Sequence, residues 1–126
     1  MSRVLVIDDE TVVGTILRYA FHGEDHQIFV ADGGRAGIEI ARTEHPDVIV
    51  LDLMMPSVNG YDVLAILRQD DDTKRVPILV LTAVTMSRER ERCLSNGADM
   101  VMTKPFDPQD VADAVHALLA PEATTA

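Results

Sequence analysis

At 126 residues the chain has room for one domain with a real core and no room for two. Its formal net charge of −10 argues against binding to phosphate backbones, which takes a basic footprint, and favours a bound cation wherever carboxylates converge. No apolar run approaches the ~18 residues a membrane span needs, and Met1-Ser2-Arg3 opens no secretory pattern. The single cysteine, Cys93, forbids an internal disulfide and fits a reducing cytoplasm; it reads as a small half-buried residue on a helix.

Val4-Leu5-Val6-Ile7 is a continuous apolar run of strand type, and it ends in Asp8-Asp9-Glu10. Val12, Val13, Ile16, Leu17, Ala20 and Phe21 then recur at helical spacing, with Gly23 past the helix end. Capping of that helix accounts for one of the two adjacent aspartates, not both. Residues 27–31 form a shorter, less apolar strand, suited to a sheet edge, and Asp32 is placed to cap a helix over 35–44 that stops before Pro46. Val48 to Leu51 is a third strand run, β-branched at its first three residues and ending at Asp52. Tyr61, Leu64 and Leu67 give the next helix its inward face, and 69–73 reads as a solvated polar loop. A fourth strand, 77–81, ends at Thr82 and the small Ala83. The helix over 87–96 is the most polar in the chain and has little apolar grip beyond Cys93 and Leu94, which predicts a mobile element. Met100 to Thr103 is the last strand, leading into Lys104-Pro105. Asp107-Pro108 then starts a final helix with the stripe Val111, Val115, Leu118 and Leu119.

Five alternations of strand and helix call for an α/β fold, a doubly wound five-stranded parallel sheet with helices on both faces. The flavodoxin-like order 2-1-3-4-5 places the first and third strands together at the switch point, where ligands bind beyond the carboxyl ends of the strands. Asp8, Asp9, Asp52, Thr82 and Lys104 all fall on that edge. Carboxylates so close together need compensation, which a hard divalent cation such as Mg²⁺ supplies while keeping positions for phosphate oxygens. That chemistry is phosphoryl transfer, with a carboxylate as nucleophile, the Lys104 ammonium on one phosphoryl oxygen and the Thr82 hydroxyl on another.

With these pieces in order, the chain resembles the CheY-like receiver domains of two-component response regulators over residues 3 to about 120. The motifs that carry the resemblance are Val6-Ile7-Asp8-Asp9-Glu10, Leu51-Asp52-Leu53-Met54-Met55-Pro56 with Gly60, Leu81-Thr82-Ala83, and Gly97-Ala98-Asp99 before Thr103-Lys104-Pro105-Phe106. The resemblance implies a receiver over 1–120 followed by a polar tail at 121–126, with Asp52 as the phosphoacceptor. It implies Mg²⁺ held by Asp9, Asp52 and the Met54 carbonyl, with Asp8 acting through water, and a cis peptide at Lys104-Pro105. The partners it implies are a sensor histidine kinase or a histidine phosphotransfer protein, with no direct nucleic-acid or membrane binding. The receiver would be a monomer or a phosphorylation-dependent homodimer, and no enzyme beyond catalysing its own Mg²⁺-dependent phosphorylation and dephosphorylation.

Val101 stands where the family usually carries an aromatic side chain that swings inward, and valine has no ring to swing. Signalling is therefore expected to shift the 87–96 helix, or to use another face. Met54 and Val84, each two residues past a site residue, are apolar and cannot orient an attacking water, so loss of the phosphoryl group should be slow. The alternative function is an unphosphorylated docking module. A haloacid-dehalogenase-type phosphatase needs a general acid where Met54 stands, and dinucleotide binding lacks its glycine-rich first loop. His22, His26, His45 and His116 fall on different elements without ligand spacing and read as surface or helix-end residues.

Overall fold

Ten elements alternate along the chain in the computed structural model, which describes residues 2–21, 26–53, 55, 59–83 and 87–119, with Thr11 and Ser87 described by backbone alone. They are β1 (Ser2–Ile7), α1 (Thr11–Ala20), β2 (His26–Ala31), α2 (Gly34–Glu44), β3 (Val48–Asp52), α3 (Gly60–Gln69), β4 (Ile78–Thr82), α4 (Ser87–Ser95), β5 (Met100–Thr103) and α5 (Pro108–Leu119). The sheet has the order β2-β1-β3-β4-β5 with every pairing parallel, as the doubly wound reading requires. The expected polar tail at 121–126 and Gly23 lie outside the described residues, while α1 itself ends at Ala20 with Phe21 as its C-cap.

Each central strand is a continuous apolar run because both of its faces are covered. Every residue of β3 and β4 is buried. Alternate side chains go to opposite sides of the sheet. Leu5, Ile7, Ile49, Leu51, Ile78 and Val80 join a core with Ala41 of α2, Leu64 and Leu67 of α3, and Cys93 of α4. Val4, Val6, Val48, Val50, Leu79 and Leu81 join a second core with Val13 and Leu17 of α1 and Val111 and Val115 of α5. The sheet thus separates α2, α3 and α4 from α1 and α5.

Local details depart from the sequence reading in instructive ways. Asp32 does not cap α2; the N-cap is Gly33, and no side chain bonds the first turn. Val12, counted on the apolar face of α1, points outward with 56% of its surface exposed, while Val13, Leu17 and Phe21 carry the burial. The loop after α3 is not simply solvated. Thr73 is buried and its hydroxyl donates to the Leu67 carbonyl at 2.6 Å, and Asp70 pairs with Arg42 of α2. Arg68 ties this loop to the turn after α4. Its Nε donates to the Gly97 carbonyl at 2.8 Å, Nη1 to the Val76 carbonyl at 2.6 Å, and Nη2 to Asp99 Oδ2 at 2.8 Å. That same Asp99 oxygen accepts the Ile78 N–H at 2.8 Å, anchoring the start of β4. Gly97 holds φ at +108°, the left-handed region that closes a helix most cheaply with glycine.

Two readings need correction. Cys93 is fully buried rather than half-buried. Leu94 is 42% exposed, so the apolar grip of α4 is even smaller than its sequence suggests. What holds α4 is Tyr61 of α3, whose hydroxyl donates to Glu89 and whose ring lies 4.0 Å from the Arg92 guanidinium. The histidines are not all separate surface residues either. His45 is exposed in the left-handed C-cap of α2, but His26 and His116 lie side by side with Nε2 atoms 3.3 Å apart. His22 falls outside the described residues.

Candidate functional site

The carboxyl ends of four strands build one buried polar cluster. Asp8 and Asp9 follow β1, Asp52 closes β3, Thr82 closes β4, and Lys104 follows β5. The sheet itself sets these positions, because ladder hydrogen bonds run one step beyond the strands. Asp8 N–H donates to the Ala31 carbonyl at 3.0 Å, Leu53 N–H to the Leu81 carbonyl at 3.0 Å, and Lys104 N–H to the Thr82 carbonyl at 2.8 Å. The backbone around each functional side chain is therefore fixed by the same bonds that fix the register.

Asp8 and Asp52 are only 1–2% exposed, which is unusual for carboxylates and demands compensation, and Thr82 beside them in the sheet is buried as well. One carboxylate oxygen from each of Asp8, Asp9 and Asp52 lies within 4.8 Å of the other two. Lys104 supplies part of the compensation. Its Nζ stands 3.1 Å from Asp8 Oδ2, 3.5 Å from Asp52 Oδ1 and 3.4 Å from the more exposed Glu10 Oε1. Burial by itself would lower the Lys104 pKa. The hydrogen bond to Asp8, with the charges of Asp52, Asp8 and Glu10, outweighs it and holds the pKa above the ordinary lysine value. The peptide bond between Lys104 and Pro105 is cis.

Helix capping does not explain the acidic pair. The N-cap of α1 is Glu10, whose side chain makes no capping bond, and Asp8 Oδ1 accepts the Glu10 N–H at 2.9 Å from outside the helix. Asp9 takes no part in that arrangement. On the other side of the cluster the chain returns tightly from β3 to α3. Gly60 N–H donates to the Leu53 carbonyl at 3.1 Å, and a Cβ at Gly60 would stand 2.4 Å from that oxygen. Only glycine fits so close an approach. Asn59 then caps α3 by accepting the Tyr61 N–H at 2.8 Å.

Asp8, Asp9, Asp52 and Lys104 thus converge, and Thr82 is buried at the same edge of the sheet, while two expected positions are not described. Met54, expected to offer its carbonyl, and Val84 lie outside the described residues. Val101, in the aromatic position of the last strand, is 4% exposed and sits in the same core as Cys93. Two participants escaped the sequence reading: Glu10, which reaches Lys104, and the open groove along α1 lined by Val12, Ile16, Ala83, Lys104, Phe106 and Pro108. Outward placement of Val12 makes sense as one wall of that groove.

Residues 4–116 match the family model described as the response regulator receiver domain. The chain belongs to this family. Among curated proteins, the receiver is 39% identical over 118 residues to the alkaline phosphatase synthesis transcriptional regulatory protein PhoP of Bacillus subtilis, covering 94% of this chain and 48% of that one. It is 30% identical to protein PilH of Pseudomonas aeruginosa, covering 95% of this chain and 99% of PilH. The receiver spans about half the length of most of the curated relatives it matches, 48–49% for PhoP and the Synechocystis regulator RpaA. Among solved structures, the Francisella response regulator 1452 receiver domain superposes with a TM-score of 0.87 at 29% identity, covering 94% of this chain and 97% of that chain. The receiver domain of a Pseudomonas aeruginosa sensor histidine kinase, solved with magnesium ion coordinated in its active-site cleft, has the same fold at 24% identity and a TM-score of 0.82, covering 94% and 97%. No helix among the described residues is long and apolar enough to cross a membrane.

Proposed function

We propose that this receiver takes a phosphoryl group from the phosphohistidine of a sensor histidine kinase or histidine phosphotransfer protein onto Asp52, with Mg²⁺, in the cytoplasm. The observation that carries the proposal is the charge count of the cluster. One ammonium, which Lys104 also shares with Glu10, cannot neutralise the three converging carboxylates of Asp8, Asp9 and Asp52, and a divalent cation supplies the missing positive charge. The donors are all hard oxygens, which suits Mg²⁺. Asp9 and Asp52 would hold the ion directly and Asp8 through water, with the Met54 carbonyl assigned by family resemblance alone. When bound, Mg²⁺ neutralises the carboxylates and the oxygens of the incoming phosphoryl group.

The residues of the chain have separate tasks in the transfer. An Asp52 oxygen attacks phosphorus as the P–N bond of the donor breaks, and the bonding pair leaves with the donor imidazole. Lys104 turns from Asp52 to a phosphoryl oxygen, which keeps its ammonium paired throughout. The Thr82 hydroxyl donates to another phosphoryl oxygen, and the small Ala83 leaves room beside it. The groove along α1 offers the donor protein an apolar approach to this edge. Because Met54 and Val84 cannot orient water, the acyl phosphate should persist for minutes rather than seconds.

Movement of Thr82 toward the phosphoryl group is reported through α4. This helix has one fully buried apolar side chain among its described residues, Cys93, and is otherwise held by the polar contacts of Tyr61. Amide NMR of the phosphorylated protein should show shifts concentrated in α4; an unchanged α4 would remove this route. The function itself is tested by intact mass after incubation with acetyl phosphate. One phosphoryl adduct is expected, absent without Mg²⁺ and absent in Asp52→Asn. No adduct, or the same adduct on Asp52→Asn, overturns the proposal.

A further inference from the structure

At the opposite end of the sheet from Asp52 lies a pair of side chains that phosphoryl transfer does not use. His26 is the first residue of β2, and His116 is on the last turn of α5. Their Nε2 atoms face each other at 3.3 Å, with ring centroids 5.4 Å apart and ring planes 31° apart. Both rings are set in place by one neighbour. Phe21, buried at the C-cap of α1, packs edge-on against His26 at 5.3 Å and against His116 at 5.9 Å. Both histidines are half-buried, so they are held by packing and still reached by solvent.

The geometry points to a metal site: Nε2 of His26 and Nε2 of His116 together bind a borderline divalent cation such as Zn²⁺, Ni²⁺ or Cu²⁺, with water completing its shell. A tetrahedral ion with metal–nitrogen bonds of about 2.0–2.1 Å holds two ligand nitrogens about 3.3–3.4 Å apart. The observed separation of 3.3 Å already matches that span. Imidazole nitrogens select these ions, whereas Mg²⁺ prefers the carboxylate oxygens at the other end. The two centres therefore differ in ligand chemistry and bind different cations. Without metal, one imidazole N–H can donate to the other ring; on binding, that proton moves to Nδ1 of its own ring and the cation takes its place at Nε2.

The two ligands are 90 residues apart and meet only in the folded chain. An ion there clamps the edge strand β2 to α5 and stabilises the folded state in proportion to its occupancy. The test uses the full chain, stripped of metal and then saturated with Mg²⁺ so that the carboxylates are occupied. Zn²⁺ is added while the imidazole ¹H–¹⁵N correlations are followed. His26 and His116 are expected to shift together and saturably, with His45 unmoved. At a Zn²⁺ concentration one hundred times its Kd, folding is favoured about a hundredfold. The melting temperature then rises by several degrees in the wild type and not in His26→Gln or His116→Gln. The inference is overturned by a spectrum without saturable shifts, by shifts of one member of the pair alone or of His45 instead, or by equal thermal gains in the variants. If a variant folds poorly, the wild-type spectra decide alone.

Discussion

Replacing Lys104 with methionine keeps the length of the side chain and removes the only ammonium facing the buried carboxylates among the described residues. At 3.1 Å from Asp8 the Coulomb attraction is about 5 kcal/mol at an effective dielectric constant near 20, before desolvation is subtracted. Deleting one partner of a buried pair costs about 3–5 kcal/mol, because the other charge stays behind uncompensated. Lys104 retains 17% exposure of its side chain, so the lower end applies, about 3 kcal/mol. For a domain of this size that is a fall of about 10 °C in melting temperature in EDTA. The same substitution should tighten Mg²⁺ binding, since no ammonium then competes for the carboxylates. A tenfold gain in affinity requires only about 1.4 kcal/mol of the lost compensation. Thermal melts across a Mg²⁺ titration report both effects, and Mg²⁺ should restore most of the lost stability. Phosphorylation by acetyl phosphate should nevertheless fall sharply. A variant that melts like wild type in EDTA, or that binds Mg²⁺ no more tightly, would refute the charge argument.

Other consequences are as direct. Burial first, and then the hydrogen bond to Glu89, raise the pKa of Tyr61 well above the tyrosine norm of about 10. The unfolded chain loses that proton near pH 10 while the folded chain keeps it. The stability contribution is therefore intact below pH 10 and lost as pH rises toward the folded value. Tyr61→Phe should reduce this alkaline decline, to which the buried Cys93 thiol also contributes, cost about 1 kcal/mol at neutral pH, and speed amide exchange in α4; an unaltered alkaline profile would contradict it. Arg68→Met leaves the Gly97 and Val76 carbonyls without this donor and Asp99 with the Ile78 N–H but no cation. It should cost about 2–4 kcal/mol in urea denaturation with an unchanged slope, and a loss under about 1 kcal/mol would show that water replaces the arginine.

The parts of this molecule that could be read from the chain are those governed by local pattern. A run such as Val48 to Leu51 has one way to be buried on both faces, and its end fixes where Asp52 stands. Once the strand order follows from right-handed crossovers, Asp8, Thr82 and Lys104 have no choice of edge. Contacts that depend on the rotation of one helix against another could not be read in this way. Tyr61 packs against the core as its place on the inward stripe of α3 implies, but nothing in its spacing reveals that its hydroxyl also reaches Glu89 and its ring Arg92 on α4. His26 and His116 carry no pattern in the chain, because an edge strand and a helix bring them together from 90 positions apart. Capping failed at Asp32 for a smaller reason: α2 starts one residue later than such a cap requires, and Gly33 needs no side chain to serve.

Alternate residues of one strand serve different masters. Leu5 and Ile7 belong to the core under α2, α3 and α4, while Val4 and Val6 belong to the core under α1 and α5. The two cores share strand backbone and almost nothing else, so substitutions in one should combine additively with substitutions in the other. Asp52 stands at the rim where both compartments end. Variation along the α1 groove need not disturb the packing of α4, and the reverse holds too. A single sheet of parallel strands thus lets the two faces of one receiver drift on separate evolutionary courses.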